Sequence, residues 1–211
     1  MLIRDFIHLL KNSYPKHYNA LWKENYKVLH EFTYDKKFGL ADNQKHQLPY
    51  VLSIEDDSIS IIYKNDKCQE VLVIDFEYYI NQFAGLRAGQ GKKSDYLILT
   101  TNQFIVNELT NSQEKYIDKT NGKRDLAKQQ LKESIDKLTN VSDIKKFIDN
   151  INSKIALFAY RFTDKTDKPI IDRSRSMFMS TTKISSNIIL QEDYLGFKFM
   201  QIIFKEEFDL V

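Results

Sequence analysis

Two carboxylates, Asp95 and Glu108, are the residues whose type and spacing best suit chemistry. They flank two apolar runs, at 96–99 and 104–106, whose composition is typical of β-strands. If residues 101–102 form the turn, counting outward along this hairpin puts Asp95 directly opposite Glu108. Opposed residues share one face with Cβ atoms about 5 Å apart, so the pair needs a shared proton or a cation. Paired carboxylate oxygens suit a hard divalent ion such as Mg²⁺.

The same carboxylates are also explained as solvated residues at strand ends, because isolated acids usually face water. Asp75 and Glu77, at the end of an earlier apolar run, are a possible further acidic contribution. Cys68 is the single cysteine and has no Cys or His cluster around it, which argues against a zinc site or an internal disulfide. The elements that position Asp95 and Glu108 therefore decide between the two explanations.

The amino-terminal part of the chain is expected to be helical. Apolar residues recur at helical spacing in 2–12, and aromatic and aliphatic residues do so in 17–32. Residues 34–48 are polar and predict a loop. Three strands are then predicted, at 50–54, 58–63 and 70–76. A glycine-containing segment at 81–93 is interpreted as a mobile loop that leads to Asp95.

The helical period returns after the hairpin, in 123–138 and again in 142–152. Residues 155–162, IALFAYRF, form a nearly continuous apolar run, which is typical of a strand buried on both faces. A hairpin, a helix pair and a buried strand predict an α/β core with a mixed β-sheet flanked by helices and a crossover connection. Residues 187–191 and 197–204 predict a C-terminal β-hairpin.

A single domain is predicted over 1–211, with a helical region at 1–48, an α/β core at 50–162, and a loop and hairpin at 163–211. Thirty-one basic and 29 acidic residues leave a net charge of +2, so a nucleic-acid ligand would require a local basic patch. Arg173 and Arg175 are candidates for such contacts. No signal-peptide pattern or bilayer-length apolar run is present in the sequence, so we expect a cytoplasmic protein without a membrane partner.

Four segments in order, GKKSDYLIL, FIVNELT, KRDLAKQQLKESIDKL and KIALFAYRF, resemble the core of the PD-(D/E)xK nuclease superfamily. In that restriction-endonuclease-like family an aspartate opens the second core strand, a Glu-x-Lys triplet lies on the third, and a helix and a further strand follow. The resemblance covers roughly residues 70–162. It implies that Asp95 and Glu108 hold Mg²⁺ or Mn²⁺, and that Gln129 or Gln130 on the following helix faces the metal.

The chain departs from the family at Thr110, which stands where the triplet has its lysine. In the family that lysine is thought to orient the attacking water and to steady negative charge on the phosphate, and a threonine hydroxyl carries no such charge. Lys123 and Lys128, near the start of the following helix, are the candidates for a displaced lysine.

The resemblance implies metal-dependent hydrolysis of phosphodiester bonds in nucleic acid, as by an endonuclease, with DNA expected before RNA and bacterial defence as one setting. The alternative is a catalytically inactive protein on the same scaffold that binds nucleic acid, another protein or a second copy of itself. Pairing of the carboxylates favours the first function, and Thr110 favours the second.

Overall fold

The computed structural model describes residues 2–20, 26–42, 46, 48–117, 122–163, 188–204 and 206–211, without the side chains of 114, 115 and 188–192. The predicted loop at 164–182, with Arg173 and Arg175, lies outside the described residues, as does 21–25 of the second predicted helix.

Ten strands make up two sheets in the described part of the chain. They are β1 (His30–Thr33), β2 (Lys37–Leu40), β3 (Ile61–Lys64), β4 (Val71–Asp75), β5 (Tyr96–Leu99), β6 (Gln103–Ser112), β7 (Ser153–Phe162), β8 (Ile188–Tyr194), β9 (Phe197–Ile203) and β10 (Glu207–Asp209). The larger sheet has the order β1-β4-β5-β6-β7-β9-β8, and the smaller sheet has the order β10-β3-β2. The larger sheet is mixed. The strand β7 is parallel to its two neighbours, β6 and β9, and all other neighbouring pairs in this sheet are antiparallel.

The helices lie before the sheet, at the end of β4, and between β6 and β7. They are α1 (Arg4–His17), α2 (Phe76–Asn81), α3 (Glu114–Ile117), α4 (Lys123–Thr139) and α5 (Ser142–Asp149). The predicted crossover is confirmed, since α4 and α5 connect two strands that pair in parallel over ten residues. Because α4 returns from the end of β6, its first turns lie near the carboxyl ends of β6 and β7.

Two hydrophobic cores, one on each face of the larger sheet, give the molecule three layers. One core packs α1, α2, α4 and α5 against side chains such as Leu97, Val106 and Phe158. The other packs the smaller sheet against alternate side chains such as Ile98 and Leu109. Among the described residues, helices cover one face and the smaller sheet covers the other, so the prediction of a sheet flanked by helices is corrected on that second face.

The amino-terminal prediction was wrong in the described residues from 30 onward. Residues 30–33 form β1, where Phe32 pairs with Leu72, instead of ending a helix. The predicted loop at 34–48 contains β2, and the predicted strand at 50–54 is reduced to one bridge between Leu52 and Gly39. Pairing with strands distant in sequence overrides the local pattern at these places. The α/β class and the C-terminal hairpin, which is β8 and β9, are confirmed.

Candidate functional site

The hairpin of β5 and β6 has the predicted register, with Leu99 paired with Phe104 and Tyr96 with Asn107. Thr100 fixes the turn, because its amide donates to the Gln103 carbonyl at 2.9 Å and its hydroxyl accepts from the Gln103 amide at 3.0 Å. A polar side chain that bonds its own turn in this way compensates for a turn sequence without glycine.

Asp95 lies just before β5 and bonds to β6 on both sides of Glu108. Its amide donates to the Asn107 carbonyl at 3.1 Å, and its Oδ2 accepts from the Leu109 amide at 2.7 Å. Asp95 as a whole residue is half-buried. The two hydrogen bonds hold Asp95 against the Asn107–Leu109 stretch of β6, which contains Glu108; the direct pairing of Asp95 with Glu108 stays a prediction, because the paired register ends at Tyr96 and Asn107.

Glu108 is 5% exposed and lies on the helical face of the sheet, next to Phe158 of β7. Its Oε1 accepts a hydrogen bond of 2.6 Å from Nε2 of Gln130 on α4. Its Oε2 is buried and, in the part of the chain that the structure describes, has no hydrogen-bond partner. A buried carboxylate oxygen without a partner is costly, and native structures retain one mainly where a ligand, an ion or water completes it.

The electrostatics of the site are strongly acidic. Burial raises the pKa of Glu108 well above its usual range, and the nearby charges of Asp95, Asp42 and Glu77 raise it further. Burial also raises the pKa of Asp95, with further contributions from Asp42, Glu77 and Asp75, while the Leu109 amide partly offsets the increase. Neither Asp95 nor Glu108 has an ion-pair partner among the described residues. The pair therefore favours either a bound cation or a retained proton.

The described residues contain no group of three or more His, Cys, Asp or Glu side chains arranged to hold one metal ion. A cation bound at this position would thus have the carboxylates of Asp95 and Glu108 as its ligands from the described protein. Mg²⁺ commonly binds through one or two carboxylates and completes its six oxygen ligands with water and substrate phosphate. The orphaned Oε2 of Glu108 and the acidic surroundings fit such an ion.

The two glutamines and two lysines predicted around the site occupy different positions. Gln130 contacts Glu108, whereas Gln129 bonds the ammonium of Lys92 at 2.7 Å. Lys123 is exposed at the start of α4, and its charge, with the Asn111 amide, partly offsets the rise in the pKa of Asp42 caused by loss of solvent around that carboxylate.

Lys128 lies one helical turn before Lys132, whose ammonium is 5.4 Å from the centre of the Tyr194 ring on the β8–β9 side. Residues four apart share a helix face, so Lys128 points along this side of α4 and not along the Gln130 side. Thr110 is 9% exposed on β6 and pairs with Tyr160 of β7. Of the two candidate lysines, Lys123 is the one whose charge acts on Asp42, an acid that in turn influences Glu108.

Two further residues near the site have no signal in the sequence pattern. Asp42 accepts the Asn111 amide at 2.8 Å, which brings it to the end of β6 from 69 residues away. His46 places Nδ1 2.8 Å from Oδ2 of Asp75, while Oδ1 of Asp75 caps α2 by accepting the Tyr78 amide at 2.8 Å. Both contacts arise from chain folding between distant segments, which spacing in the sequence does not reveal.

Comparison of the chain with protein-family models, with curated proteins and with solved structures finds no match. In the described residues, none of the helices has the length and apolar character needed to cross a membrane.

Proposed function

We propose that this protein is a divalent-metal-dependent nuclease that hydrolyses phosphodiester bonds in nucleic acid, with DNA as the expected substrate. The observation that carries the proposal is the buried Glu108 carboxylate, fixed beside Asp95 with Oε2 left without a partner. The charge of Asp95 acts on Glu108, and neither acid has an ion-pair partner among the described residues, which is a costly arrangement unless a cation binds between them.

The connectivity of the described core supports a restriction-endonuclease-like assignment. The sequence resemblance expects an aspartate at the opening of the second core strand and a glutamate on the third, followed by a helix and a parallel strand. Asp95 precedes β5, Glu108 lies on β6, and α4 and β7 follow in that order. The order and pairing agree with this expectation, and the proposal extends it to the chemistry.

Asp95 and Glu108 would hold Mg²⁺ or Mn²⁺ between their carboxylates. When bound, such a cation supplies Lewis-acid activation of the attacking water and of the scissile phosphate. Gln130 orients Glu108 by donating to Oε1, which leaves Oε2 available as a ligand. Lys123, exposed at the start of α4, offers a positive charge near the acidic site for a phosphate of the substrate.

The test is cleavage of plasmid, linear and single-stranded DNA, and of RNA, with Mg²⁺ or Mn²⁺. Three proteins are compared: wild type, Glu108→Gln, and Glu55→Gln as a matched change at an exposed turn residue. We expect metal-dependent cleavage by wild type and Glu55→Gln, and a loss of about 100-fold or more in Glu108→Gln, comparable to removing a preorganised charge-stabilising group. Equal cleavage by all three proteins would contradict the assignment of the site.

Thr110 favours a second candidate function, a nucleic-acid-binding protein without catalysis. Its nearly buried side chain lies where the family has a lysine, so the site lacks a positive charge at that position. On this alternative, wild type binds DNA in a gel-shift experiment in the presence of Mg²⁺ but leaves every substrate intact. The same set of three proteins therefore separates the two functions.

A further inference from the structure

The segment that leads into Asp95 is hydrogen-bonded to α4 at each of three consecutive residues, and is not a free loop at this end. The Lys92 amide donates to Oε2 of Glu133 at 2.6 Å. The Lys93 carbonyl accepts from Nε2 of Gln130 at 3.1 Å, and the Ser94 amide donates to Oγ of Ser134 at 2.8 Å. The predicted loop at 81–93 is therefore bonded to α4 at its last two residues, and its mobility stays a prediction.

A fourth bond comes from a lysine that is almost removed from solvent. The side chain of Lys137 is 10% exposed, and its Nζ donates to the Lys92 carbonyl at 2.9 Å. Its nearest ion-pair partner is Oε2 of Glu133, at 3.9 Å. Burial lowers the pKa of Lys137, which reflects the cost of keeping this ammonium away from water.

The four α4 residues of this contact lie on one face of the helix, because they follow the i, i+3, i+4, i+7 spacing. We call Gln130, Glu133, Ser134 and Lys137 the α4 latch. Gln130 joins the latch to the site, since its amide nitrogen bonds both the Lys93 carbonyl and Oε1 of Glu108. One helix face thus holds the approach to Asp95 and orients Glu108.

The backbone at Gly91 is shaped for the same contact. Gly91 has φ of +74°, and a Cβ atom built on it would lie 2.3 Å from Oε2 of Glu133. Any other residue would adopt a strained left-handed backbone and would displace the Glu133 carboxylate that accepts from the Lys92 amide. The position of residues 92–94 therefore depends on the buried Lys137 ammonium and on the glycine at position 91.

We propose that the α4 latch positions Asp95 against Glu108, and that Lys137 is a positioning residue for divalent-cation binding at these two carboxylates. This inference rests on the proposed function, because it takes Asp95 and Glu108 as the cation ligands. Lys137 acts through its hydrogen bond to the carbonyl of Lys92, a residue in the segment that leads into Asp95. It does not itself bind the ion.

The test is the dissociation constant for Mn²⁺, measured by titration calorimetry and by loss of the free-Mn²⁺ electron paramagnetic resonance signal. We expect Lys137→Met to weaken binding about 10- to 100-fold, as removal of groups that orient metal ligands commonly does. Lys137→Arg keeps a charged donor and should remain closer to wild type than Lys137→Met. Lys132→Met, on the same helix but over the Tyr194 and Phe199 rings, is the matched control and should bind as wild type does.

Amide hydrogen exchange supplies a readout that does not depend on metal. In Lys137→Met without Mn²⁺, the Ser94 amide should exchange faster, while the amides in the middle of β7 keep their protection. If Lys137→Met does not fold, Ser134→Ala replaces it, because it removes only the acceptor for the Ser94 amide. Weaker Mn²⁺ binding by that variant supports the latch, and unchanged binding overturns it.

The outcomes separate the two proposals. Mn²⁺ binding that is lost in Glu108→Gln but unchanged in Lys137→Met and Ser134→Ala would overturn the latch and leave the proposed function standing. No Mn²⁺ binding by wild type, or binding that is equal in Glu108→Gln, would overturn the cation site and the latch together. Binding that is lost in Glu108→Gln and weakened in both latch variants supports both.

Discussion

Asn107 and Glu108 are neighbours on β6, both are buried, and they point to opposite faces of the sheet. The side chain of Asn107 is satisfied: Oδ1 accepts the Tyr63 hydroxyl at 2.9 Å, and Nδ2 donates to the Leu157 carbonyl at 3.1 Å. Glu108 has one oxygen bonded to Gln130 and the other without a partner in the described structure. A buried polar residue with complete bonds stabilises the fold, whereas a buried acid with incomplete bonds indicates a binding site.

The largest effect on stability should come from substitution of Asn107, whose side-chain hydrogen bonds are complete. We expect Asn107→Ala to lower the free energy of unfolding by about 2 to 4 kcal/mol, because it leaves the Tyr63 hydroxyl unpaired and opens a small cavity. Mn²⁺ affinity of the folded fraction should stay at the wild-type value. Urea denaturation measures the change, with Asn102→Ala at the exposed turn as a control that should stay within about 0.5 kcal/mol of wild type. A loss of Mn²⁺ binding in folded Asn107→Ala would contradict the separation of roles.

The buried carboxyl groups of Asp95 and Glu108 predict that stability depends on pH in the absence of divalent cations. Because burial raises the folded-state pKa of Asp95 and Glu108, the folded protein binds more protons than the unfolded chain above about pH 4, the ordinary carboxyl pKa. Their contribution to stability is therefore complete below that pH and is lost as the pH rises through their raised pKa values. The slope approaches about 1.4 kcal/mol per pH unit for each extra proton.

Glu108→Gln should flatten this dependence and should be no less stable than wild type near pH 8, since it removes a buried charge and keeps the shape of the side chain. Urea denaturation between pH 5 and pH 8 (chosen to span about one to four units above the ordinary carboxyl pKa) measures both effects. Stability of wild type that rises with pH over this range would show that the carboxylates are already compensated within the protein.

The smallest effect is expected at Thr110, the neutral replacement for the lysine of the family triplet. Thr110→Val keeps the shape of this side chain on β6 and removes its hydroxyl. If charge near the phosphate comes from Lys123, the rate of DNA cleavage by Thr110→Val should stay within about threefold of wild type, which corresponds to less than 1 kcal/mol of transition-state stabilisation. A loss of 100-fold or more, about 2.7 kcal/mol, would assign a catalytic role to the Thr110 hydroxyl.

Much of the core was predictable because its signals are local. The register of β5 and β6 follows from a two-residue turn and two apolar runs, and Asp95, just before β5, bonds the Leu109 amide next to Glu108. The parallel strand β7 follows from a continuous apolar run after two helical segments. The sequence resemblance narrowed the helix contact to Gln129 or Gln130, and the hydrogen bond to Glu108 distinguishes them.

The remaining features depend on contacts between segments distant in sequence. The first residues of β1 were predicted as the end of a helix because the aromatic and aliphatic residues before them, up to Leu29, fit helical spacing. Only pairing with β4 makes 30–33 a strand. Asp42 approaches the site through Asn111, and Lys137 reaches the Lys92 carbonyl across 45 residues. No spacing rule relates these residues, so three-dimensional packing was needed to place them.

The most direct test of the account is a crystal structure of the wild-type protein soaked in Mn²⁺, with anomalous difference density collected to locate the ion. We predict a Mn²⁺ peak coordinated by the Asp95 carboxylate and by Oε2 of Glu108, with Gln130 still bonded to Oε1. The contradicting result is a well-ordered site without a peak, in which the Asp95 and Glu108 carboxyl groups lie within hydrogen-bond distance and share a proton. In that case the pair would be a structural acid dyad and the nuclease proposal would fail.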